Sequence, residues 1–117
     1  MSEEELFQRF APGGIVRGGE LYLDASTMQK YIGEAEKLGL AVVGVEGFEQ
    51  HGNALQPRLD LIADYSGARD TWPEHRLFCN KNAAEWIAEL MAERNLIFAA
   101  TVLSEEEWRR IRATGRL

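Results

Sequence analysis

Apolar residues between Met28 and Leu38 recur every three to four positions, the spacing that places them on one face of an α-helix. Asp24 and Ser26 are both suitable N-caps for this helix, and Gly39 stands where a C-cap glycine belongs. The pattern therefore predicts an amphipathic helix that ends at Leu38.

Strand patterns surround this helix. The segment 15–23 is β-rich but interrupted by Gly18-Gly19, which predicts either one weakened strand or two short strands in a hairpin. Leu40 to Phe48 is rich in valine and bounded by glycines, as buried strands are. In the next strand, Arg58 to Tyr65, apolar and acidic residues alternate. Two sets result: Leu59, Leu61, Ala63 and Tyr65 on one face, and Asp60, Ile62 and Asp64 on the other. We expect the strands Leu40 to Phe48 and Arg58 to Tyr65 to pair as an antiparallel hairpin with a long loop between them.

The remaining segments add helices and one more strand. Ser2 to Phe10 has capping-box spacing at its start, and Ser104 to Glu107 has the same spacing before a final short helix. Gly67 to Asn80 shows no clear period, so we expect it to be irregular, and Asn80 or Asn82 is a suitable N-cap for the helix that follows. Leu96 to Leu103 is another β-rich run.

These elements predict one α+β domain over residues 1–117. The order is α, then β-α-β-β-α-β, then α, so we expect an antiparallel sheet with helices packed on one face. The central six elements match the ferredoxin-like plan, with extra helices at the N- and C-terminal ends.

Composition agrees with a folded domain, since 45% of residues are apolar and 27% are charged. The formal charge of −6 disfavours nucleic acid and anionic membranes as partners. It would also speed the encounter with a basic partner, but on charge alone we prefer the simpler interpretation that modest acidity keeps a small protein soluble. Cys79 is the single cysteine, which excludes an internal disulfide. The acidic start and the lack of a long apolar segment lead us to expect a cytoplasmic protein.

Carboxylates gather around the predicted hairpin, at Glu46, Glu49, Asp60 and Asp64. Neighbouring carboxylates can act as acid and base or bind a hard cation. Alternation alone predicts instead that Asp60 and Asp64 lie on the solvated face of a half-buried sheet, which is the interpretation we favour.

Motifs of catalysis are missing from the sequence. His75 and Cys79 lack the further ligands that zinc needs, and a lone cysteine next to Phe78 is typical of a small buried side chain. There is no phosphate-binding loop, dinucleotide fingerprint or nucleophile elbow. We therefore assign no catalytic residue, metal ligand or cofactor, and we favour a non-enzymatic role without excluding catalysis.

Aromatic and acidic residues are mixed between Tyr65 and Phe78, where Trp72 stands between Asp70 and Glu74. Such a mixture on a loop is typical of a protein-binding hot spot. The alternative is a segment tucked over the core with Trp72 as its plug, and the sequence does not choose between the two.

A family resemblance adds to this picture. Leu38-Gly39-Leu40, the strand 41–48 with sequence AVVGVEGF, and the strand 58–66 with sequence RLDLIADYS resemble a group of small bacterial immunity proteins that accompany polymorphic or contact-delivered toxins. The resemblance covers about residues 28 to 72. It implies a non-catalytic cytoplasmic antidote that binds and blocks a toxin domain, and the acidic charge would suit a basic toxin.

The first hypothesis is accordingly a protein-binding module. Its predicted contact residues are Glu46, Asp60, Asp64, Tyr65, Asp70, Trp72 and Glu74. A second hypothesis is a small-molecule binder or enzyme with Glu46, His51 and Asp64 in a cleft. A third is a self-associating subunit, which exposed apolar positions on the strand Leu96 to Leu103 would favour.

Overall fold

The computed structural model of the chain describes residues 3–67 and 71–114. Its helices are α1 (Glu3–Phe10), α2 (Ala25–Lys37), α3 (Trp72–Glu89) and α4 (Glu105–Ala113). Its strands are β1 (Ile15–Arg17), β2 (Glu20–Tyr22), β3 (Ala41–His51), β4 (Ala54–Asp64) and β5 (Leu96–Leu103). The α+β class and the order of elements are those that the sequence predicts. None of the helices in the described ranges is long and apolar enough to cross a membrane.

Local sequence signals set several element ends as predicted. A side-chain oxygen of Asp24 accepts a hydrogen bond from the backbone N–H of Thr27 at 2.8 Å, which caps α2. Gly39 follows α2 with φ +75°, a conformation that favours glycine. Ser104 and Glu107 form the expected capping box of α4. Gly18 and Gly19, with φ of +57° and +81°, turn the chain between β1 and β2, so the hairpin alternative is correct.

The start of α3 corrects the predicted irregular stretch up to Asn80. The helix begins at Trp72, because Thr71 and Glu74 form a reciprocal capping box and Pro73 lies in the first turn, where its missing N–H costs nothing. The Thr-x-x-Glu spacing was present in the sequence. Its significance was hidden because the helix buries His75 and Asn80, two polar residues, on its inner face.

The strand pairing places β3 between β4 and β5, and both pairings are antiparallel. The β1–β2 hairpin joins this sheet through a bridge between Leu23 and Phe98 of β5. The two strands of each β-α-β unit are therefore not adjacent in the sheet. β5 lies between β2 and β3, the strands that flank α2, and β3 lies between β4 and β5, the strands that flank α3. In the ferredoxin-like plan the third of the four core strands would occupy the position of β5. The element order is thus confirmed, and the finer strand order is not.

The β3–β4 hairpin differs from the predicted one in its length. The strands extend to His51 and from Ala54, so a two-residue turn replaces the expected long loop. The register slips between the Phe48–Pro57 pair and the Glu46–Ile62 pair, which leaves extra residues on β4. Simple alternation fails at this bulge: Leu59 is 82% exposed whereas Leu61 is 8% exposed.

Two clusters of buried residues form the core. The main one lies where α2 and α3 pack on one face of the sheet, which confirms the predicted layering. Its most buried members include Leu6, Leu23, Met28, Val42, Val45, Ile87 and Phe98. The second cluster, at the end of the sheet where α3 begins and α4 follows β5, contains Ala41, Val43, Trp72, Cys79 and Trp108.

Candidate functional site

The sheet presents a second face, on the side away from α2 and α3. On β3, Glu46 lies opposite Ile62 of β4 and Ala99 of β5, and Gly44 two residues earlier lies opposite Asp64 and Thr101. Residues directly opposite one another, or two apart on one strand, point to the same side of a sheet. We call this surface the open sheet face and define it by Glu46, Phe48, Ile62, Asp64 and Thr101.

Apolar side chains make up part of the open sheet face. Ile62 is 54% exposed although it pairs with Glu46 within the β3–β4 ladder. Phe48 is partly exposed, and its ring meets the ring of Tyr22 edge to face at 5.2 Å between centroids. Beside them, Ile97 and Ala99 are buried at 5% and 7%. The face is therefore a layer of apolar side chains of which Ile62 is the most accessible.

Two carboxylates border this apolar layer. Glu46 is exposed, and among the described residues no ion pair to it is formed. Asp64 is exposed and accepts hydrogen bonds from Ser66, at 2.9 Å from the backbone N–H and 2.6 Å from the hydroxyl. These bonds lower the pKa of the Asp64 carboxyl below its ordinary value. Glu46 and Asp64 are diagonal neighbours, about 7–8 Å apart at Cα.

Asp60 lies in a different electrostatic setting from Asp64. The guanidinium of Arg58 donates two hydrogen bonds to the Asp60 carboxylate, from Nε to Oδ1 at 2.9 Å and from Nη2 to Oδ2 at 2.8 Å. Nη1 of Arg58 also donates to Glu49 at 2.8 Å. His51 contacts the second oxygen of Glu49 at 2.9 Å. The Arg58 hydrogen bonds lower the pKa of Asp60, and those of His51 and then Arg58 lower the pKa of Glu49. The charge of Asp60 is thus largely compensated within the chain.

The three residues of the proposed cleft, Glu46, His51 and Asp64, do not all lie close to one another. His51 pairs with Ala54 at the tip of the hairpin, whereas Asp64 pairs with Gly44 at the other end of the ladder. His51 lies seven positions along β3 from Gly44, a distance of about 23 Å. The alternative of a small-molecule site built from these three side chains therefore lacks the required proximity.

The remaining predicted contact residues are dispersed. Tyr65 is partly buried, and its hydroxyl donates to the backbone carbonyl of Asn82 at 3.3 Å. Trp72 is 4% exposed within the second core cluster, which is the plug arrangement considered from the sequence. Glu74 is exposed but engaged in the capping box with Thr71. Asp70 lies outside the described residues.

His75 and Cys79 are both 0% exposed. The ring of His75 is 5.8 Å from that of Trp108 and 6.1 Å from that of Trp72, and its Nε2 lies 3.7 Å from Cys79 Sγ. Because solvent does not reach either side chain, this pair contributes to packing rather than to nucleophilic chemistry. In the described ranges, no group of three or more His, Cys, Asp or Glu residues is arranged to hold a metal ion.

Sequence reasoning missed the apolar members of the open sheet face. Ile62 was assigned with Asp60 and Asp64 to one face, but only the acids were considered as contacts. The signal that could have identified it is the presence of an isoleucine on the otherwise acidic side of an alternating strand.

Comparison of the chain with protein-family models finds no match, and comparisons with curated proteins and with solved structures find none either.

Proposed function

We propose that the chain is a non-catalytic protein-binding module and that the open sheet face is its binding surface. The observation that carries the proposal is the exposure of Ile62 between Glu46 and Asp64, on a sheet face that none of the long helices in the described part of the chain covers. An apolar centre with a charged border is the arrangement that protein interfaces use.

The roles of the predicted residues follow from their surroundings. Within the described ranges, Glu46 and Asp64 form no ion pair, whereas Asp60 is paired with Arg58 and Trp72 is buried in the core. Ile62 and Phe48 supply apolar area that loses water on binding. Charge accelerates the encounter, and the apolar contact then slows dissociation.

The biological role that we propose is that of an antidote, an immunity protein that binds and occludes a toxin domain in the cytoplasm. It is supported by the resemblance of residues 28 to 72 to such proteins and by the net charge of −6, which suits a basic partner. The self-association hypothesis has less support, because Leu96, Ile97, Phe98 and Val102 of β5 are all buried within the chain.

The test is affinity capture of the products of neighbouring genes, with the chain as bait at about 50 mM and about 500 mM salt. We expect a basic protein to be retained at low salt and partly released at high salt. Ile62→Ser should weaken its retention.

Leu77→Ser is the matched control, because Leu77 is 56% exposed on α3, on the helical side of the sheet. Equal retention by both variants and wild type would show that the open sheet face is not the binding surface. Failure to retain any protein, together with a thermal shift caused by a metabolite, would contradict the binding-module assignment.

A further inference from the structure

We propose that the open sheet face receives an extended basic segment of the partner, which lies along the edge of β4 and carries lysine or arginine at alternate positions. This inference rests on the proposed function and specifies the chemistry of the partner. It combines the position of β4 in the sheet, the direction of its backbone groups and the charges beside it.

The first observation concerns the sheet edge. Among the strands of residues 3–67 and 71–114, β4 pairs with β3 alone and is an edge of the three-stranded sheet. The backbone N–H of Tyr65 donates to the carbonyl of Val43 at 2.7 Å, so the Gly44–Asp64 pair between these strands is of the non-hydrogen-bonded type. In such a pair the N–H and C=O of Asp64 point away from β3. The same alternation directs the backbone groups of Ile62 outward, toward a strand that could be added.

The second observation is the chemistry on the open sheet face next to that edge. A long cationic side chain opposite Ile62 can lay its aliphatic stem over this exposed residue and bring its charge to Glu46. A cation two residues along the added strand is about 6.6 Å away and stands opposite Asp64. One extended segment with cations at positions i and i+2 therefore satisfies both carboxylates.

The structure also limits which strand can bind. Pro57 and the bulge that follows it interrupt the regular edge, so the segment available on β4 is short, from about Leu61 to Asp64. A second copy of this chain is a poor occupant, because pairing two β4 edges brings the carboxylates of both copies together and each copy carries a charge of −6.

The experiment uses the full chain and two synthetic octapeptides, one alternating lysine and valine and the other alternating glutamate and valine. Binding is followed by amide chemical shifts at about 50 mM salt. We expect the lysine peptide to shift amides of residues 44–48 and 61–65, and the glutamate peptide to leave them unchanged. The double variant Glu46→Gln/Asp64→Asn should weaken binding about tenfold, as the loss of two surface ion pairs predicts.

Glu85→Gln/Glu89→Gln provides the control, since it makes the same change of charge at exposed positions of α3. Binding of both peptides alike, shifts confined to other acidic surfaces, or equal affinity of the two double variants would overturn the inference. A helical peptide with lysines four residues apart that binds as tightly would exclude the extended mode. If a cellular partner is captured through Ile62 while the lysine peptide causes no shift, the proposed function stands and this inference fails.

Discussion

Asn80 links three elements of the fold through one buried amide. It is 5% exposed on α3, where its Oδ1 accepts from the backbone N–H of Val42 at 2.8 Å. Its Nδ2 donates to the backbone carbonyl of Leu40 at 2.9 Å and to Glu36 of α2 at 2.6 Å. The start of β3 is thus fastened to both long helices by a single side chain.

Replacement of Asn80 by alanine leaves two buried backbone groups without these partners. Each unsatisfied buried group costs about 1–3 kcal/mol, with the carbonyl at the lower end because it has a second lone pair. We therefore expect Asn80→Ala to lower the free energy of unfolding by about 2–4 kcal/mol. For 117 residues the unfolding entropy is about 0.25 kcal/mol/K, so the midpoint should fall by about 8–16 °C.

The assay is equilibrium urea denaturation followed by fluorescence, with thermal unfolding as a second measure. Asn82→Ala is the matched control, because the Asn82 side chain donates only to the backbone of Phe78 on its own helix, at 2.7 Å and exposed to solvent. We expect the control to change stability by less than about 0.5 kcal/mol. A loss of less than about 1 kcal/mol in Asn80→Ala, or equal losses in both variants, would refute the assigned role of the buried amide.

Three further predictions concern packing and charge. Trp108→Ala should cost about 3–5 kcal/mol and reduce the helical signal of α4, whose one buried residue it is. Trp108→Phe should cost less, because it keeps a buried aromatic ring and loses an indole N–H that has no partner among the described residues. Circular dichroism and urea titration measure both. Gly47→Ala should lower the free energy of unfolding by about 1–3 kcal/mol, since its Cβ would lie 2.9 Å from the Cβ of Leu61 on β4. Gly33→Ala, which points into open space on α2, should raise it by about 0.5–1 kcal/mol. A higher urea midpoint for Gly47→Ala than for Gly33→Ala would contradict this. Ser66→Ala should raise the pKa of Asp64, which carboxyl chemical shifts report. Because that folded-state pKa is below the ordinary value of 3.8, the stability from ionised Asp64 is present above 3.8 and is lost as pH falls through the lowered folded value; in the variant this contribution should be smaller, and its loss should be complete at a higher pH.

Much of the fold followed from signals that act over a few residues. The apolar face of α2 with Asp24 as its cap, and the capping box at Ser104, were recognisable because helix ends depend on local hydrogen bonds. The start of α3 was not recognised, because its inner face carries His75 and Asn80, whose burial depends on partners distant in the sequence. Strand order was equally inaccessible, since the pairing of β5 with β3 involves residues from 47 (Glu49 with Leu96) to 62 (Ala41 with Leu103) positions apart.

The candidate site shows the same division between local and distant causes. Alternation placed Asp64 on the outer side of β4, where the register confirms that it lies beside Glu46. It could not foresee that Arg58 would compensate Asp60, because that contact depends on the local geometry at the bulge. Nor could it foresee the burial of Trp72, which requires α4 to bring Trp108 to within 5.6 Å between ring centroids.

We propose that this chain binds a protein partner through the open sheet face. The most direct measurement is hydrogen–deuterium exchange of the chain alone and in complex with the captured partner. We predict that protection on binding is concentrated in residues 44–48 of β3 and 61–65 of β4. Protection confined to α2 and α3, with β4 exchanging as in the free chain, would contradict the account.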